Sequence, residues 1–193
     1  MTGNALREQY PAGCFIGFNA GFDRKSAEQL ILVCGQAVQN EYDEINLCLG
    51  SLGGTLDDVY YVINILEAFP VKLITHNVST VQSAANLVFL CGDERYAVPG
   101  STFFFHQTHF PSFPDQQINQ AFMVERLKAI EDHDTRCAAF YLDKTGQPAK
   151  KVREWCNAEI LMTTDDAMAN GLIHGVKQLD MPPKSFFHQV VVP

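Results

Sequence analysis

Residues 44–75, EINLCLGSLGGTLDDVYYVINILEAFPVKLIT, are the stretch whose reading decides the fold. Glu44–Leu49 is a short apolar run of the kind that forms a buried strand. Ser51-Leu52-Gly53-Gly54 interrupts it, and Thr55 followed by Asp58 has the pattern of a helix N-cap. The helix after it is expected to run to about Ala68 and to stop before Pro70, which cannot continue helical hydrogen bonding. A second strand, Val71–Thr75, begins at once. Strand, helix and strand in this order define an α/β chain with a largely parallel sheet.

Upstream, the first strand is expected to begin near Cys14. Ala27, Leu30, Ile31, Cys34, Ala37 and Val38 then recur at the spacing of a helix with one buried face. Downstream, Ser83–Cys91 reads as a buried helix that is small at its start and apolar at its end. Strands follow around Arg95–Val98 and Thr102–His106, parted by Pro99-Gly100. A long helix covers about Gln117–Lys144, with Met123, Leu127, Ile130, Cys137 and Tyr141 in one stripe beside a charged face. Thr145-Gly146-Gln147-Pro148 ends it, and a shorter helix carries Lys150–Cys156. Thr163–Asp166 caps a brief helix closed by Asn170-Gly171, and a strand is expected near Ile173–Val176. The apolar tail, Phe186–Val192, is expected to pack on a neighbour or to add an edge strand.

The 193 residues, 47% hydrophobic and 19% charged, suffice for one domain and fall short of two. With no linker or repeat, residues 1–193 read as a single domain. A net charge of −8, with no stripe of Lys and Arg, excludes a nucleic-acid partner. No apolar run approaches the roughly 20 residues of a membrane span. The N-terminus lacks the apolar segment of a secretory signal, so a cytoplasmic location is expected. Six cysteines sit inside apolar segments without a Cys-x-x-Cys pair and read as reduced core residues. Neither a dinucleotide fingerprint nor a Gly-x-x-x-x-Gly-Lys phosphate loop occurs. His106 and His109 lack an acidic or third ligand, so no metal or cofactor is expected.

Three features carry chemistry. Gly53-Gly54 lies where a strand passes into a helix, and a helix start leaves N–H groups unpaired and free to hold an oxyanion or a phosphate. Ser83 heads a segment of small residues, where a hydroxyl stays accessible to a base. His106 ends the apolar strand Thr102-Phe103-Phe104-Phe105, well placed to act as that base. Each feature also has a plain structural explanation: a tight turn, a capping serine and an edge histidine.

Taken together, the chain resembles the Clp protease proteolytic subunit (ClpP) family across about residues 14–178. Ser51-Leu52-Gly53-Gly54-Thr55 is similar to the family's Ser-Pro-Gly-Gly turn. Val81-Gln82-Ser83-Ala84-Ala85 stands where its nucleophile segment stands. Arg95–Ser101, running on to Phe105-His106-Gln107, is the closest match. The helix ending in Thr145-Gly146-Gln147 looks like the family's handle, and Thr163–Gly171 with Leu172-Ile173 looks like its closing segment. Leu52 replaces the turn's proline, Ala85 a glycine, and Gln82 a small residue.

The resemblance implies a spiral of ββα units with a long handle helix over 117–144, a short N-terminal segment (1–13) and a C-terminal tail (179–193). It implies a serine endopeptidase with Ser83 as nucleophile, His106 as base, and the N–H groups of Gly54 and Ala84 as oxyanion hole. The family's third member is an aspartate, and Glu159 occupies its position. The substrate would be unfolded polypeptide or peptides, cut inside a chamber of heptameric rings, paired through their handles into a tetradecamer. The short N-terminal segment leaves little chain for the loops through which relatives meet an AAA+ unfoldase. The crotonase-type acyl-CoA enzymes share the spiral architecture and an oxyanion hole at the same turn, and form the alternative. A catalytically silent assembly subunit is the third reading.

Overall fold

The computed structural model describes residues 5–109 and 118–191. A short helix α1 (Ala5–Gln9) leads into strand β1 (Cys14–Phe18). Asp23 then starts α2 (Arg24–Gln39) through a reciprocal capping box with Ser26. β2 (Glu44–Ser51) and β3 (Lys72–Gln82) flank α3 (Leu56–Ala68), and β3 is followed by α4 (Ala85–Leu90). Next come β4 (Glu94–Ala97), β5 (Thr102–Phe104) and the long α5 (Gln120–Thr145). The chain closes with α6 (Ala149–Asn157), β6 (Leu161–Met162), α7 (Thr164–Ala169), β7 (Gly175–Val176) and β8 (Phe186–Gln189).

The strands make one sheet in the order β6-β5-β3-β2-β1-β8, with β4 on β3 and β7 on β4. Every pairing is parallel except β5 with β6. Ile45, Leu47 and Leu49 of β2 bury their side chains with Leu30, Val33 and Cys34 of α2 and Val59, Val62 and Ile63 of α3 in one core. All six residues of α4 are buried. An α/β architecture with a parallel sheet and one long helix is therefore what the sequence led us to expect.

β3 is twice as long as its apolar run suggests. Its first half pairs with β4 (Ile74–Asn77) and its last three residues pair with β5 (Thr80–Gln82). Between them the register with β2 shifts, so the strand bulges and is re-aimed. Asn77, fully buried, secures the bulge: its amide donates to Thr102 O and its Oδ1 accepts from Ser79 N. Other bounds differ more modestly. β5 stops at Phe104, and the strand near 173–176 shrinks to Gly175–Val176. Thr55 occupies the N-cap of α3 without a side-chain capping bond.

The stripe expected on α5 divides in two. Tyr141 is buried and Cys137 packs against the core, whereas Met123 and Leu127 are more than half exposed. The tail takes the second of its two expected routes, as β8 adds an edge strand to β1. All six cysteines are free thiols. No helix among the described residues is long and apolar enough to cross a membrane. The expected start of the long helix at Gln117, and the Pro111 and Pro114 that precede it, lie outside the described residues.

Arg95 is buried, and its guanidinium faces main-chain carbonyls. It donates to Leu172 O (2.8 Å), Gly92 O (3.2 Å), Gly171 O (3.2 Å) and Lys144 O (3.1 Å). One side chain thus joins β4, the end of α5 and the turn after α7. Arg95→Met should destabilise the fold by about 3 kcal/mol, read in denaturant unfolding, because the buried carbonyls lose their donors.

On the opposite sheet face, His76 Nε2 donates to Asn46 Oδ1 (2.9 Å), its ring lies 5.8 Å from that of Tyr96, and Lys177 Nζ stands 3.3 Å from the Tyr96 ring centre. Burial first, and Lys177 second, lower the His76 pKa to about 4. The unfolded chain therefore takes up this proton near the ordinary value of about 6.5 while the folded chain resists it. Stability should fall as pH drops from about 6.5 toward 4, by roughly 2–3 kcal/mol from this group. Urea midpoints measured across that window should show a flatter profile for His76→Gln than for the unaltered protein.

Candidate active site

Ser83 stands outside the helix it was expected to head. β3 runs to Gln82, α4 starts at Ala85, and Ser83 occupies the turn between them with φ +54°. A side chain with a β-carbon is disfavoured there by about 1–2 kcal/mol, so the surroundings must hold it. Ser83 N donates to Phe104 O (2.9 Å), and Asn86 Nδ2 donates to the same carbonyl (2.9 Å). The cap position of α4 belongs to Ala84, without a side-chain capping bond. The Ser83 hydroxyl is therefore not a helix cap, and it makes no hydrogen bond among the described residues. A serine at a sharp strand-to-helix turn is the arrangement that exposes a nucleophile in other hydrolases.

The glycine pair presses against this turn. Gly53 has φ +96°, and a β-carbon there would lie 2.7 Å from Ser83 Cβ and 2.9 Å from Gln82 O. At Gly54, with φ +152°, it would fall 2.1 Å from Phe22 O. The close approach is fastened by Phe22 N donating to Gly53 O (2.7 Å) and Thr55 N donating to Phe22 O (2.8 Å). Below it, Ser51 Oγ donates to Ala20 O (2.6 Å) and accepts from Gly53 N (3.2 Å). Among the described residues neither the Gly54 N–H nor the Ala84 N–H meets an acceptor.

His106 follows Phe105, which is buried between Tyr141 of α5 (ring centres 5.8 Å apart) and Trp155 of α6 (5.3 Å). Phe105 N donates to Ile160 O (2.9 Å). The histidine thus begins a loop whose root is fixed by apolar packing. Its Nδ1 lies 2.8 Å from Gln107 O. A carbonyl only accepts, so Nδ1 carries the proton, and in the neutral ring Nε2 is left as the basic nitrogen.

Gly54, Ser83, Ala84 and His106 line one cavity of about 530 Å³. Its apolar wall includes Leu87, Phe105, Tyr141, Cys137 and Cys156. Burial raises the Tyr141 phenol well above its ordinary pKa, and burial followed by Cys137 pushes the Cys156 thiol up to about 11. These groups are neutral at pH 7, and this wall suits an apolar side chain.

Four of the five residues expected at the site thus share one cavity. Glu159 does not join them. It lies two residues beyond α6 with φ +51°, exposed, outside the cavity lining, and its carboxylate makes no hydrogen bond among the described residues. The structure adds groups that sequence reasoning missed. Asn86 spans Ser83 and Phe104, the Gln107 carbonyl faces His106, and Thr108, His133 and Asp134 line the far wall. The signal for them was thin: Gln107 and Thr108 directly follow His106, but Asp134 looks like any polar helix residue until α5 is laid across the site.

A parallel α/β sheet with a serine on a strained strand-to-helix turn, and a histidine and two residues with unpaired N–H groups lining the same cavity, has the parts of a hydrolase-like site. Residues 14–180 match the Clp protease family, and the chain belongs to it. It is 25% identical over 162 residues to an ATP-dependent Clp protease proteolytic subunit 1 of Chlamydia caviae, covering 80% of this chain and 81% of that protein. A proteolytic subunit 2 of Bacillus licheniformis is 24% identical over 161 residues, covering 82% and 81%. The proteolytic subunit of Paracoccus denitrificans is 23% identical over 140 residues, covering 71% and 68%. At family level the chain is a ClpP-type peptidase, divergent in sequence.

Gly53→Ala tests how far the fold depends on the close approach. The added methyl collides with Ser83 Cβ and main chain, and the residue takes a strained φ. Denaturant unfolding should show a loss of about 2–3 kcal/mol, against about 1 kcal/mol for Gly100→Ala, where the positive φ is strained but no atom lies within 4 Å.

Proposed function

We propose that the chain is a serine endopeptidase in which Ser83 attacks the peptide carbonyl and His106 Nε2 accepts its proton. The observation that carries this reading is the uncapped Ser83 hydroxyl, held in a left-handed turn beside the cavity that His106 also lines. As the tetrahedral intermediate forms, its oxyanion takes hydrogen bonds from the Gly54 and Ala84 N–H groups, which have no acceptor to give up among the described residues. His106 then returns the proton to the leaving amine. Water, deprotonated by the same histidine, releases the acyl group from Ser83. The substrate is polypeptide in extended, unfolded form.

The whole chain acts as one such domain, in the cytoplasm. The exposed apolar positions Met123, Val124 and Leu127 on α5 support assembly with further copies through that helix. Heptameric rings, joined in pairs into a closed chamber, are the assembly this reading takes. The acyl-CoA alternative has no need of a serine held in a strained turn beside a histidine, which favours the peptidase.

Labelling with a fluorophosphonate probe tests the reading directly. The expected adduct is on Ser83, is lost in Ser83→Ala and falls by at least about a thousandfold in His106→Ala. An unlabelled Ser83 in the assembled protein would instead mean a silent subunit or an acyl-CoA enzyme.

A further inference from the structure

The peptidase reading leaves open what orients His106, because Glu159 stands outside the cavity. We infer that the main-chain carbonyl of Gln107 takes the place of a triad carboxylate, and that Thr108 and Asp134 hold this carbonyl in position. The inference rests on Ser83 and His106 being the reacting pair.

The geometry is local and complete. Gln107 O accepts from His106 Nδ1 at 2.8 Å, a well-formed hydrogen bond, and from His109 Nδ1 at 3.3 Å. The first bond fixes the tautomer that leaves Nε2 basic, which is the orienting task of a triad acid. A neutral carbonyl performs it without a buried negative charge. By itself, however, a loop carbonyl is free to swing. Here the segment is tethered on both sides of the carbonyl. Thr108 Oγ1 donates to Asp134 Oδ1 of α5 (3.0 Å) in a partly buried contact, and Gln107 Nε2 donates to Asn157 Oδ1 at the end of α6 (2.8 Å). Phe105, wedged between Tyr141 and Trp155, anchors the loop root to the same two helices.

Thr108 and Asp134 are thus positioning residues: neither touches Ser83, and each acts through the peptide that carries the Gln107 carbonyl. The exposed Gln107–Asn157 bond adds a second, weaker tether. Among the described residues the Glu159 carboxylate forms no hydrogen bond to this loop, and it does not line the cavity.

The test is the rate of fluorophosphonate labelling at Ser83 in the assembled, full-length chain. Thr108→Val keeps the shape and removes the donor, while Thr108→Ser keeps the donor. Asp134→Ala removes the acceptor, while Asp134→Asn keeps an amide oxygen in its place. Thr108→Val and Asp134→Ala are expected to label on the order of tenfold to a hundredfold more slowly, as a misplaced catalytic group does. The Ser and Asn variants should recover most of the rate, and Glu159→Gln should label as the unaltered protein does. Recovery by the conservative variants separates hydrogen bonding from bulk packing. A wild-type rate in both Thr108→Val and Asp134→Ala, or a large loss in Glu159→Gln, would overturn the inference. So would equal losses in Thr108→Val and Thr108→Ser. Absence of any Ser83 adduct in the unaltered protein would instead bring down the peptidase reading itself.

Discussion

Main chain approaches main chain so closely around residues 53 and 54 that a β-carbon at either position would sit inside van der Waals contact with Ser83, Gln82 or Phe22. Several features follow from that one exclusion. The hydrogen bonds on either side of Phe22 draw β1's continuation onto the start of α3. Ser83 is pressed into a turn that side chains ordinarily avoid, and the Gly54 N–H is left without an acceptor among the described residues. Strain of this kind persists only where surrounding contacts over-determine the backbone. Here they come from the buried Asn86 and from the paired main-chain bonds that tie Phe22 to Gly53 and Thr55.

The sheet brings these pieces together by changing course rather than by running straight. A bulge in β3, secured by Asn77, lets one strand edge serve β4 and then β5. Because β5 carries the chain to His106, the change of partner delivers the histidine to the cavity that is also lined by the serine following β3. Arg95 closes the arrangement from the other side, gathering the C-terminal end of α5 and the turn after α7 onto β4 through carbonyls alone. A guanidinium suits this work, with its planar fork of donors.

The strand–helix–strand core was legible because each element there has one clean period and an explicit stop. Thr163 and the Asn170-Gly171 ending also read correctly, since capping chemistry is local; the Asp23 capping box went unread. β3 was read too short because Asn77-Val78-Ser79-Thr80 has the composition of a turn; its strand character depends on Thr102 and its neighbours. The α5 stripe reads as one face, and no sequence rule tells that Tyr141 finds a core while Met123 does not. Ser83 and His106 were nameable because a family pattern marks them. The conformation of Ser83 was not, since left-handed backbone at a serine leaves no signal of its own. Glu159 had only its position in that pattern to recommend it, and its exposure follows from how α6 ends.

The pairing of β8 with β1 has a consequence for how the chain comes into being. Strand β1 acquires its outer neighbour only when residues 186–189 have been made, some 170 residues later. Until then β1 carries a bare row of amides and carbonyls, flanked by Phe15 and Phe18, able to recruit any passing strand. Closure over such a sequence distance is slow to nucleate. A nascent chain of this protein is therefore exposed to misassembly until β8 has been made, and a holdase that shields residues 14–18 during that interval would raise the yield of native subunit without touching its stability.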